Sequence, residues 1–76
     1  MNHNIAPPGA RVLWCLRRRS SDVRCVAFFD DGPIEVRVLQ GDDLVITERF
    51  LEPAAALDWA EQYGAQLRAH GWSENP

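Results

Sequence analysis

Between Ile34 and Gln40 the chain alternates cleanly, with Ile34, Val36 and Val38 pointing one way and Glu35, Arg37 and Leu39 the other. A period of two is that of a strand with one buried face. Two further runs precede it, Arg11 to Arg17 and Asp22 to Phe29, both rich in β-branched and aromatic residues. The polar stretch Arg18-Arg19-Ser20-Ser21 between them predicts a turn. Asp31-Gly32 predicts a two-residue type I′ hairpin, because both loop positions then need positive φ. Centred there, the hairpin sets Phe29 against Ile34, Ala27 against Val36 and Cys25 against Val38, so every pair on that face is apolar. A fourth strand runs from Leu44 to Phe50. A three-residue loop, Gly41-Asp42-Asp43, places Val38 opposite Ile46 and Glu35 opposite Arg49, with Glu48 on the core side at the sheet margin; a two-residue loop would instead set Glu35 against Glu48, a like-charge pair.

After Phe50 the period changes. Ala56, Leu57, Ala60, Tyr63, Gly64 and Leu67 recur at spacings of three and four, which predicts a helix. Pro53 suits its first position and Glu52 places a negative charge at the positive end of the dipole. Gly71 reads as the left-handed residue that ends it, with His70 as C-cap and Trp72 folding back on Leu67. The pattern predicts an α+β fold: a four-stranded antiparallel meander (ββββα) with one C-terminal helix packed on one face. Residues 11–76 form a single domain behind a mobile tail over residues 1–10, which ends in Pro7-Pro8-Gly9.

Seventy-six residues suffice for one small core and no more. With 46% hydrophobic residues and a net charge of −3, the chain is too apolar and too weakly charged for intrinsic disorder. Its apolar runs fall far short of the ~20 residues needed to cross a bilayer. The N-terminus lacks the basic and apolar regions of a secretory signal. The expectation is a cytoplasmic protein without membrane association. All eight basic residues are arginine, and lysine is absent.

Few residues invite chemistry. His3 lies in the tail and His70 at the helix end, Ser20 and Ser21 are turn formers, and no Gly-flanked nucleophile elbow or zinc-like spacing occurs. The pairs Asp30-Asp31 and Asp42-Asp43 fall in successive hairpin loops, which a meander sends to opposite ends of the sheet. With Trp14 against Cys25, Cys15 opposes Arg24 and the two thiols face opposite ways. No residue is assigned a catalytic, cofactor-binding or metal-ligating role, and the chain reads as a non-enzyme.

The informative feature is the sheet face away from the helix. By alternation it carries Leu13, Cys15 and Arg17; Arg24, Val26 and Phe28; Glu35, Arg37 and Leu39; then Val45, Thr47 and Arg49. A solvated antiparallel face is normally polar, whereas this one mixes apolar groups with four arginines. Leu13, Arg17, Arg24, Val26, Phe28, Arg37, Leu39 and Arg49 form the candidate partner surface. A protein partner or a second copy fits an apolar centre with an arginine rim. Nucleic acid is the alternative, disfavoured by the net acidity.

The segment Phe50-Leu51-Glu52-Pro53-Ala54-Ala55-Ala56-Leu57-Asp58-Trp59-Ala60, followed by His70-Gly71-Trp72, resembles the ends of a group of small, uncharacterised bacterial proteins. That resemblance covers the last third of the chain and implies no activity. The succession Phe50, Ala56, Gly71 and Trp72 also resembles, in topology, the WGR domain, a nucleic-acid-contacting module. No tryptophan here is followed by Gly-Arg, so this resemblance transfers no binding residue.

Overall fold

The computed structural model describes residues 9–74. They form four successive antiparallel strands, β1 (Ala10–Arg18), β2 (Ser21–Phe28), β3 (Ile34–Gln40) and β4 (Asp43–Phe50). A single helix, α1 (Pro53–Ala69), follows, and a two-residue strand, β5 (Ser73–Glu74), closes the order β4-β3-β2-β1-β5. The fold is the expected α+β meander with a C-terminal helix, extended by β5. Residues 1–8 of the expected tail lie outside the described residues. Its last residue, Ala10, belongs to β1, and Phe29 N–H donates to the Gly9 carbonyl at 2.7 Å.

The core lies between the sheet and α1. Trp14, Leu16, Val23, Cys25, Ala27, Ile34, Val36 and Val38 are buried from the sheet, and Ala56 and Ala60 from the helix. Small residues on α1 let it lie close, and Trp14 uses the space. Its indole Nε1–H donates to the Ala60 carbonyl at 2.8 Å, and its ring stacks on Tyr63 with centroids 6.3 Å apart. Aromatic contacts continue from Tyr63 to Trp59 and from Trp59 to Phe50, tying the helix to β4. Trp59 replaces Leu57 in the expected stripe, because the buried line Ala56, Ala60, Gly64 leaves Leu57 on the flank, 43% exposed. The helix ends as its sequence predicts. Gly71 has φ +97°, its N–H bonds the Arg68 carbonyl, and Trp72 N–H bonds that of Leu67.

Three local expectations are corrected. The Asp31-Gly32 loop keeps the predicted register, with Ala27 opposite Val36 and Cys25 opposite Val38, yet only Gly32 has positive φ. Pro33 has no N–H to close the turn back to Asp30, so a type I′ geometry loses its hydrogen bond. The β3–β4 loop has two residues, Gly41 and Asp42, with Gln40 opposite Asp43. A bulge between Val38 and Leu39 on the ladder, with Val45 as the extra residue of β4, then restores Val38 opposite Ile46 and Glu35 opposite Arg49. A second bulge lies in β1, where Val12 opposes Val26 and Trp14 opposes Cys25, leaving Leu13 over. Glu48 lies opposite Val36 on the edge strand, half-buried at the sheet margin as expected.

Candidate functional site

The face of the sheet opposite α1 is built in rows by the strand registers. Leu44, Leu39, Arg24 and Cys15 form one row, Thr47, Arg37, Val26 and Val12 the next, and Arg49, Glu35, Phe28 and Ala10 the third. Arg17 and Asp22 pair above them at the β1–β2 hairpin. Seven of the eight candidate residues share this face: Arg17, Arg24, Val26, Phe28, Arg37, Leu39 and Arg49. Leu13 does not, because the β1 bulge reverses the alternation and turns it to the core side, where it packs against the buried cluster. Val12 takes its place, 54% exposed. Leu44, which alternation alone does not assign to the face, stands opposite Leu39 with 57% exposure, and Val45 becomes the bulge residue.

Three of the four arginines on this face stand beside a carboxylate. Glu35 accepts hydrogen bonds from Arg37 Nε and from Arg49 Nη2, the latter at 3.2 Å. The hydrogen bond from Arg37, with the positive charges of Arg37 and Arg49, holds the Glu35 carboxyl below its ordinary pKa against the effect of partial burial. Arg17 Nε lies 3.3 Å from Asp22 Oδ1, outside hydrogen-bond geometry. Arg24 Nη1 reaches the Gly41 carbonyl at 3.4 Å. Arg37 does more than pair: its guanidinium carbon sits 4.6 Å from the Phe28 ring centroid, so the stem and head of Arg37 cover part of that ring. On the strands the four arginines stand against Asp22 and Glu35, and Asp30 and Asp31 add two further carboxylates at the lower end of the same face.

At the lower end of the face an open hollow of about 240 Å³ is lined by Phe28, Asp30, Asp31, Pro33, Glu35 and Arg37. Asp42 and Asp43 are at the other end of the sheet, as a meander requires. Among the described residues no group of three or more His, Cys, Asp or Glu side chains is placed to hold a metal ion. His70 Nδ1 sits 2.7 Å from the Gln66 carbonyl, a contact within the last helical turn. Comparison with known proteins gives no kinship. No family model, curated protein or solved structure matches the chain. Any functional reading therefore rests on the surface just described.

Cys15 opposes Arg24 on the open face, while Cys25 opposes Trp14 in the core, so no disulfide can join them without a register change. Burial pushes the Cys25 thiol up to about 11. Among the described residues no helix is long and apolar enough to cross a membrane.

Proposed function

We propose that this chain is a non-enzymatic interaction module that binds protein through the uncovered face of its sheet. The observation that carries the reading is the composition of that face once its internal charges are paired. Leu44, Leu39, Val26 and Val12 run across four strands with no second layer above them among the described residues, and Val12 and Leu44 are more than half exposed. Apolar area rimmed by arginine is what protein interfaces present at their centres and margins. The same pairing weakens the nucleic-acid alternative. Arg37 and Arg49 share Glu35, and Arg17 faces Asp22, so three of the four arginines already stand beside carboxylates. Phosphate oxygens would have to displace them. Two cysteines held on opposite faces suit a reducing compartment, and a cytoplasmic setting belongs to this proposal.

A photo-crosslinking residue placed at Thr47 in the native cell tests the reading. Protein adducts are expected from Thr47 and are expected to disappear when Leu39→Glu is added, while a crosslinker at Gln62 on the outer helix surface serves as the comparison. Absence of protein adducts at Thr47 would overturn the proposal. Titration with single- and double-stranded oligonucleotides completes it, because phosphate binding shows affinity falling steeply with salt. Tight, salt-dependent binding would favour the nucleic-acid reading instead.

A further inference from the structure

We draw no further inference here: the strongest candidate, the apolar row Val12, Val26, Leu39 and Leu44 on the uncovered sheet face with the carboxylate-lined hollow at its lower end, belongs to the site already described, and nothing among the described residues shows what covers it.

Discussion

Cys25 has 0% exposure and lies among Trp14, Val23, Val36 and Val38 in the core. Desolvation disfavours its thiolate, which raises its pKa from an ordinary 9.0 to about 11. Unfolding releases this restraint, so between pH 9 and 11 the unfolded chain loses a proton that the folded chain keeps. Stability is therefore pH-independent through this group below 9, falls as pH rises through 9, and levels off above 11. The expected slope is about 1.4 kcal/mol per pH unit at its steepest. Urea unfolding of wild type and Cys25→Ala at several pH values isolates it, because the slope should be absent from the variant. A second residue-scale effect sits at the β1–β2 turn. Arg19 has φ +58°, a left-handed conformation that costs a residue with a Cβ about 1–2 kcal/mol. Glycine removes that strain and adds roughly 0.5–1 kcal/mol of unfolded-state entropy, so Arg19→Gly is expected to stabilise by about 0.5 kcal/mol. Thermal unfolding would register it as a small rise in Tm; a fall would mean that the Arg19 side chain makes a contact worth more than the strain.

Among the elements, the helix shows how a local rule is overridden. An interior glycine in a helix usually gains about 1 kcal/mol on replacement by alanine. Gly64 is different because a Cβ there would meet Trp14 Nε1 at 3.0 Å and Cε2 at 3.2 Å. The indole cannot give way freely, since its N–H is committed to the Ala60 carbonyl and its ring lies against Tyr63. Overpacking of this kind costs about 1–3 kcal/mol, which exceeds the propensity gain. Gly64→Ala is therefore expected to lower stability by up to about 2 kcal/mol, measured by urea unfolding, and Gly64→Ala with Trp14→Phe is expected to recover part of the loss. Additive losses would show that the two sites are independent. The helix, its Schellman ending and the β2–β3 register were legible because each follows from an uninterrupted period. The two bulges were not. Both interrupt apolar triplets, Val12-Leu13-Trp14 and Leu44-Val45-Ile46, where three consecutive hydrophobic side chains erase the alternation that would reveal the phase. Simple alternation therefore puts Leu13 on the open face although it packs on the core side, while Arg17, Arg24, Val26, Phe28, Arg37, Leu39 and Arg49 lie on the face that alternation gives them. β5 has only two residues and carries no pattern of its own; it forms because the helix ending returns Ser73 and Glu74 to the edge of β1.

At the scale of the whole molecule, the two sheet edges are treated differently. β1 is covered at its end by β5, with Arg68 bonded to Glu74 at 2.9 Å. Among the described residues no strand lies beyond β4, and an open edge of eight residues is a template for pairing with other chains. Its protection comes from the bulge at Val45, which twists the strand, and from Glu48, a charged residue that stands on the core side opposite Val36. A charged residue on the core side of an edge strand costs some stability, and a strand added beside it would take more of that residue out of water. Glu48→Val removes the guard. Beside Val36 a β-branched side chain is expected to add about 0.5–1 kcal/mol to the fold in unfolding experiments. The same variant is expected to aggregate faster, with loss measured by light scattering at elevated temperature. Because this association runs through backbone pairing and apolar side chains, it should persist at high salt. A Glu48→Val protein that is both more stable and equally resistant to aggregation would place the protection of the edge in the Val45 bulge alone.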